Sequence, residues 1–225
     1  MIVSAIIPAR GGSKGIPLKN LANVCGKPLL SYTVEAALRA PEVSEVLVST
    51  DSDQIAEVAE SCGARVVCRP PELSGDLEPS ESALLHSLNV LRDDRGCDPD
   101  LVVFLQATSP LRPPGAISGA IRTLLEAGAD SLFSASRVHG FVWRIGETGP
   151  TPLNYDYRHR PRRQESKAYV QENGSIYVFR PWVLRSEGNR LGGRIAVYFM
   201  DPVYALQVDE PGDLEILGRR LQGHL

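Results

Sequence analysis

The stretch Ser4-Ala5-Ile6-Ile7-Pro8, followed at once by Ala9-Arg10-Gly11-Gly12-Ser13-Lys14-Gly15-Ile16-Pro17-Leu18-Lys19-Asn20, governs the reading of the whole chain. Ala5, Ile6 and Ile7 are apolar without alternation, the pattern of a strand covered on both faces, and such strands lie inside parallel sheets. Leu101-Val102-Val103-Phe104-Leu105 repeats the pattern, so both strands are expected to be central. Between and beyond them, short β-branched runs alternate with helix-period segments. The helices are expected at Leu29 to Arg39, Asp53 to Ser61, Ser80 to Leu91, Pro114 to Ala127 and Pro211 to Leu221. Strands are expected at Glu45 to Thr50, Arg65 to Cys68, Ser131 to Ser136, Gly174 to Phe179, Val197 to Met200 and Ala205 to Val208. Successive βαβ units of this kind predict an α/β fold in three layers, with a mostly parallel central sheet and helices on both faces.

At 225 residues and 43% hydrophobic content the chain suits one domain, here taken as 1–225. The regular pattern breaks between about 138 and 167, where prolines, Phe141, Trp143 and the basic run Arg158-His159-Arg160-Pro161-Arg162-Arg163 fit neither a buried strand nor a packed helix. This excursion is a lid, a disordered loop or a subunit contact. Its basic run is either a solvated surface or part of a site.

A net charge of -3 gives no general attraction to nucleic acid or anionic lipid, so any phosphate binding must be local. The chain runs from Met1 straight into an apolar strand with no basic leader, and no membrane-length apolar run follows; a cytoplasmic protein is the expectation. Cys25, Cys62, Cys68 and Cys97 form no CxxC pair and have no histidine at metal-ligand spacing, which predicts reduced thiols.

Ligands of open parallel sheets bind at the carboxyl ends of strands, where the connections diverge. The loop after the first strand has the chemistry for a polyphosphate. Its glycines, Gly11 among them, let backbone N–H groups approach an anion, Ser13 adds a hydroxyl, and Arg10, Lys14 and Lys19 bring three positive charges. Of the 24 basic side chains only four are lysines, and Lys14, Lys19 and Lys27 all fall within the first 27 residues. Neither GxxxxGK[ST] nor GxGxxG occurs, which excludes the P-loop and the dinucleotide fingerprint. A second loop, Gln106-Ala107-Thr108-Ser109-Pro110-Leu111-Arg112, follows the other central strand and mixes amide, hydroxyl and guanidinium groups suited to a polyhydroxylated acid. Arg112 is alternatively a structural residue that pins this loop through carbonyl oxygens.

Pro8 to Gly15 with Pro17 and Lys19-Asn20 resembles the signature loop of the CMP-N-acylneuraminate synthetase (acylneuraminate cytidylyltransferase) family. Ser49-Thr50-Asp51, Arg69-Pro70, Gln106 to Arg112, Arg163-Gln164 and Asn173-Gly174-Ser175-Ile176-Tyr177 follow in the family's order. The resemblance implies a Rossmann-like nucleotidyltransferase fold whose excursion serves dimerisation, and transfer of CMP from CTP to the anomeric hydroxyl of a sialic acid-type nonulosonic acid. It implies that Arg10, Gly11, Ser13 and Lys14 hold the CTP phosphates, that Lys19 reaches the α-phosphate, and that Asn20, Arg69 and Ser80 touch the cytidine. Gln106, Arg163, Gln164, Asn173 and Tyr177 would meet the sugar, with Mg²⁺ as cofactor and a homodimer as the assembly. Related acids such as pseudaminic, legionaminic or deaminated neuraminic acid or Kdo, and a non-catalytic nucleotide-binding role, stay open beside it.

Gln207-Val208-Asp209 resembles the family's metal segment, in which two aspartates alternate along a strand. Here the first acid is Gln207, which brings an amide oxygen but no charge. Asp209 is then either the principal Mg²⁺ ligand or the N-cap of the closing helix, and Asp213 is read as a helix N-terminal charge.

Overall fold

The computed structural model describes residues 1–138, 140–162, 164 and 169–223. Eleven strands are present among them: β1 Val3–Pro8, β2 Asn23–Val24, β3 Lys27–Pro28, β4 Glu45–Thr50, β5 Arg65–Cys68, β6 Leu101–Leu105, β7 Ser131–Val138, β8 Trp143–Gly146, β9 Gly149–Pro152, β10 Tyr169–Phe179 and β11 Ile195–Phe199. Six α-helices accompany them: α1 Leu29–Leu38, α2 Asp53–Ser61, α3 Ser80–Arg95, α4 Ala116–Glu126, α5 Pro181–Glu187 and α6 Pro211–Leu221.

Seven strands form one sheet in the order β11-β7-β10-β6-β1-β4-β5. Every pair is parallel except those made by β10, which runs against both β6 and β7. As the unalternated apolar runs predict, β1 and β6 are central; they also pair with each other, and their side chains divide between two cores. Val3, Ala5, Ile7, Leu101, Val103 and Leu105 pack with α1, α2 and α4 on one face, while Ile6, Val102 and Phe104 pack with α3 and α5 on the other. The sheet is therefore the middle layer of three.

The order also fixes where a ligand can enter. From β1 the chain builds outward to β4 and β5, then returns to place β6 on the opposite side of β1, so the connections leaving β1 and β6 diverge. Their carboxyl ends, at Pro8 and Leu105, flank the switch-point crevice of such sheets. A third cluster of Ile16, Val24, Leu29, Val208 and Leu217 fastens α6 and the segment before it onto the loop after β1.

Beside the unforeseen hairpin β2–β3, the unforeseen helix α5 and the longer α3, the structure differs from the sequence expectations in three places that bear on the site. Residues 205–208 are not a strand: after the short 3-10 turn Pro202–Tyr204 this segment crosses the sheet end, and Val208 N donates to Thr108 O in place of a ladder. β10 begins at Tyr169, five residues ahead of expectation, because a register shift between Glu172 and Tyr177 lets the pairing with β7 resume past an irregularity. The polar residues ahead of Gly174 hid this extension. The excursion contains ordered structure: β8 and β9 make a two-stranded hairpin, and Tyr155 packs against Phe141 and Trp143 with ring centroids 4.3 and 5.9 Å apart. A hairpin too small for a core of its own is held by such aromatic contacts.

Candidate active site

The loop after β1 is organised by its own polar side chains. Asn20, buried, donates from Nδ2 to Arg10 O at 3.0 Å, and Gly11 N donates to Asp51 Oδ1 at 2.9 Å. Gly15 packs so closely on the segment before α6 that a Cβ there would overlap the carbonyl oxygen of Asp209. Lys19, whose side chain is only 13% exposed, spans the same junction: its Nζ donates to Val208 O at 2.8 Å and to Asp209 Oδ1 at 3.0 Å. Arg10 and Lys14 pair with Asp76 at 2.8 and 3.1 Å.

These groups converge on one cleft of about 280 Å³ at the switch point. Arg10, Ser13, Lys19, Asn20, Arg69, Ser80 and Gln106 line it, with Phe104. Gly11, Lys14 and Asp209 stand beside it through the contacts just given. Arg69 is buried and spends its Nε on Ser49 Oγ (3.1 Å) and its Nη2 on Ser49 O (2.6 Å), so it ties the end of β5 to that of β4. Burial pushes its guanidinium below the ordinary value, opposed by the charge of Asp51. Ser80 opens α3, where backbone N–H groups also face outward.

A second recess, about 380 Å³, lies between β7, β10 and the 205–207 segment and is lined by Ser136, Gln171, Glu172, Asn173, Ala205 and Gln207. The irregularity in β10 creates it. Ser134 Oγ repairs the interrupted ladder by accepting from Ile176 N at 2.8 Å and donating to Asn173 Oδ1 at 2.6 Å. Asn173 is 3% exposed, and its Nδ2 has no hydrogen-bond partner among the described residues. Gly174 holds φ at +68°, and the amides of Gln106 and Gln207 both close on the spot where its Cβ would be, 2.6 Å from Gln106 Oε1 and closer still to Gln207 Nε2. Because Gln106 lines the first cleft and Gln207 the second, the linings of the two cavities adjoin above Gly174. Gly174→Ala should cost about 2 kcal/mol, from the left-handed backbone and from the displaced amides. Chemical denaturation is the check, and an unchanged midpoint would contradict this account.

Three sequence expectations find other surroundings. Tyr177 lies within the core, stacked on Phe104 at 5.3 Å, and its hydroxyl donates to Glu172 Oε2 at 2.8 Å. Burial pushes that hydroxyl well above its usual pKa, so it stays a donor. Gln164 is exposed, and Arg163 lies outside the described residues. Gln207 and Asp209 are not a same-face pair on a strand: Gln207 Nε2 donates to Asn173 O at 3.0 Å, whereas Asp209 meets Lys19. Nor is Asp209 the cap of α6. Glu210 is the N-cap, and Asp213 Oδ2 accepts from the backbone N–H groups of both Asp209 and Glu210 at 2.8 Å. The Asp209 carboxylate thus does not cap the helix, and it meets Lys19, a lining residue of the cleft.

The sequence reading passes over Asp76 and Glu172. Neither stands out in a single chain, although Glu172 directly precedes Asn173 and Asp76 follows a Ser-Gly turn. Arg190 is a third such residue: its guanidinium covers Phe104 and Tyr177 at 4.8 and 4.9 Å and pairs with Glu81 at 2.7 Å, fixing the floor of the cleft from behind.

Comparison with known proteins places the chain in a family. The chain is 38% identical over 223 residues to N-acylneuraminate cytidylyltransferase A of Danio rerio, covering 97% of this chain and 50% of that protein. It is 31% identical over 217 residues to the N-acylneuraminate cytidylyltransferase of Escherichia coli O18:K1:H7, covering 95% of this chain and 51% of that protein. The chain thus spans about half the length of the curated relatives it matches. Its fold is that of CMP:2-keto-3-deoxy-manno-octonic acid synthetase, a structure solved in complex with CTP (TM-score 0.73, 21% identity, all of both chains). The 4-diphosphocytidyl-2C-methyl-D-erythritol synthase of Anaerococcus prevotii is also similar (TM-score 0.70, 16% identity, 98% of each chain). The family profile described as "Cytidylyltransferase" matches residues 4–185, a span that takes in the loop after β1, the loop after β6 and the interrupted strand β10; the chain belongs to the cytidylyltransferase family.

Proposed function

We propose that the chain transfers CMP from CTP to the anomeric hydroxyl of an N-acylneuraminate-type nonulosonic acid. The acceptor oxygen bonds to the α-phosphorus, the bond to the departing pyrophosphate breaks, and the hydroxyl proton leaves to solvent or a base. One observation carries the reading: three phosphate-binding residue types, Arg10, Ser13 and Lys19, share a switch-point cleft with Arg69, Ser80 and Gln106. In this reading the triphosphate lies along the loop after β1, with Lys14 and Gly11 beside it, and Asn20, Arg69 and Ser80 border the cytidine. The acid enters by the recess of Glu172, Asn173 and Gln207, where the free Asn173 Nδ2 supplies an unspent donor for a hydroxyl. Tyr177 acts through Glu172 and not on the sugar directly.

The residues also fit a divalent cation. Mg²⁺ typically keeps several waters and takes one or two carboxylates plus phosphate oxygens, and Asp209 is one exposed carboxylate at the edge of the cleft. Among the described residues no group of three or more His, Cys, Asp or Glu side chains is placed to hold a metal ion. Asp209 would hold Mg²⁺, with Gln207 nearer the sugar recess, and the cation would neutralise charge on the triphosphate. We assign the hairpin arm with Trp143 and Ile145, both exposed, to a homodimer contact. The four cysteines are all unpaired, which suits the reducing cytoplasm.

Pyrophosphate release from CTP and Mg²⁺ should require an acid, with N-acetylneuraminate the best of a panel including deaminated neuraminic, pseudaminic and legionaminic acids and Kdo. A different preferred acid would reassign the substrate. Silence across the panel, with CTP still bound, would indicate a non-catalytic nucleotide-binding protein.

A further inference from the structure

Arg10 and Lys14 reach the same carboxylate. Arg10 Nη1 lies 2.8 Å from Asp76 Oδ1, and Lys14 Nζ lies 3.1 Å from Asp76 Oδ2; the same Arg10 nitrogen donates to Gly75 O at 3.0 Å. Asp76 belongs to residues 74–79, which join the 3-10 turn Pro71–Leu73 to α3. This connection has little else to hold it. Leu77 is 96% exposed, and Glu78 accepts from Ser82 on the same side of the chain. Asp76, Glu78 and Pro79 line the first cleft together with Arg10, so the connection forms a wall of the cleft that closes through Asp76.

We propose that Asp76 is a latch: it competes with the nucleotide's phosphates for Arg10 and Lys14, so that polyphosphate binding frees residues 74–79 and Asp76 limits nucleotide affinity. The inference rests on the reading of the loop after β1 as the triphosphate site. Its physical basis is charge. Arg10, Lys14 and Lys19 are each paired with a carboxylate, Asp76 for the first two and Asp209 for the third. Three cations against two carboxylates leave a small net attraction for an anion of several negative charges. Asp209 has a separate use beside a cation, but Asp76 has only repulsion to offer a phosphate drawn to the same nitrogens. A group of like charge within one side chain's reach of the ligand lowers affinity and is relieved by moving away.

The opposite effect is also physical. Asp76 holds two like charges together and pre-aims them, and if that dominated, removing its charge would weaken binding. The sign of one substitution separates the two. By calorimetric titration, Asp76→Asn should bind both CTP and inorganic tripolyphosphate roughly three- to ten-fold more tightly than the parent, with a steeper loss of affinity as salt rises. Equal or weaker binding of both ligands overturns the latch. A crystal of the parent chain soaked with CTP gives a test that no variant's folding can obscure. There the Asp76 carboxylate should stand beyond ion-pair distance of Arg10, about 4 Å, and an intact pair beside bound phosphates would refute the proposal. A parent that binds neither CTP nor tripolyphosphate would remove the triphosphate site itself and the latch with it, whereas a parent that binds both with an unaltered Asp76→Asn affinity removes the latch alone.

Discussion

Lys19→Ala should lower kcat by about 10²–10³-fold while leaving the KM for CTP within a few-fold of the parent. The expectation follows from how the side chain is held. The Lys19 side chain is only 13% exposed, and its Nζ is fixed by Val208 O at 2.8 Å and Asp209 Oδ1 at 3.0 Å, so its charge is aimed before any ligand arrives. A fixed cation contributes most where negative charge grows, on the α-phosphorus and the departing pyrophosphate. Binding of the ground-state triphosphate can rely on Arg10 and Lys14 as well. An interaction stronger in the transition state than in the ground state appears in kcat, not in KM. The same lysine also ties the loop after β1 to the segment before α6. If that tie were its whole contribution, KM for CTP would rise along with the fall in turnover, and Lys19→Met would lose thermal stability. A kcat within a few-fold of the parent would remove Lys19 from the chemistry.

Asp209→Asn examines the partner of that lysine. Turnover should fall and the Mg²⁺ concentration needed for half-maximal rate should rise by about ten-fold, because the amide keeps the shape but not the charge that a hard cation prefers. Steady-state rates over a magnesium titration are the measurement, and an unshifted magnesium requirement would detach the cation from Asp209.

Most of the sheet was legible because its evidence is local. A strand covered on both faces must be apolar throughout, and β1 and β6 obey that rule residue by residue; the ends of β4, α2, β5 and α6 coincide with the sequence boundaries. The loop after β1 was legible for a similar reason, since phosphate chemistry demands glycine, hydroxyl and cation in a short span. What sequence could not express is pairing at a distance. Residues 205–208 read as a strand, yet Val208 spends its N–H on Thr108 O and its carbonyl on Lys19 Nζ, contacts that depend on where α6 docks. Asn173 was expected only through the family resemblance, and Glu172 not at all. In the folded chain they belong to an interruption that opens the second recess, and Ser134, a residue of no note in the sequence, repairs the broken ladder. Asp76 escaped notice because its partners lie more than sixty residues earlier.

Arg112→Ala should destabilise the chain by about 3–5 kcal/mol, the largest stability effect expected of any single polar side chain here. Its guanidinium is the structural pin that one reading of the second loop anticipated. Nη2 donates to Gln106 O at 2.9 Å and to Ser175 O at 2.8 Å, Nε donates again to Ser175 O at 3.3 Å, and Nη1 donates to Thr33 Oγ1 at 2.9 Å. One planar fork thus joins the end of β6, the interruption of β10 and helix α1. Burial draws the guanidinium down to about 9, which leaves it charged at neutral pH. Truncation would strand two inward carbonyl oxygens, each costing about 1–3 kcal/mol when unpaired. For a chain of this size the melting temperature should drop by roughly 6–20 °C. Lysine should rescue little, because one ammonium cannot reproduce the planar spread of donors that meets three partners. The two carbonyls belong to Gln106 and to Ser175, next to Gly174, where the linings of the cleft and the recess adjoin. Arg112→Lys should therefore raise the acceptor KM more than the CTP KM in whatever fraction folds. A melting temperature within about 2 °C of the parent for both variants would mean that water replaces the fork at little cost, and that the junction of the two cavities is held by packing alone.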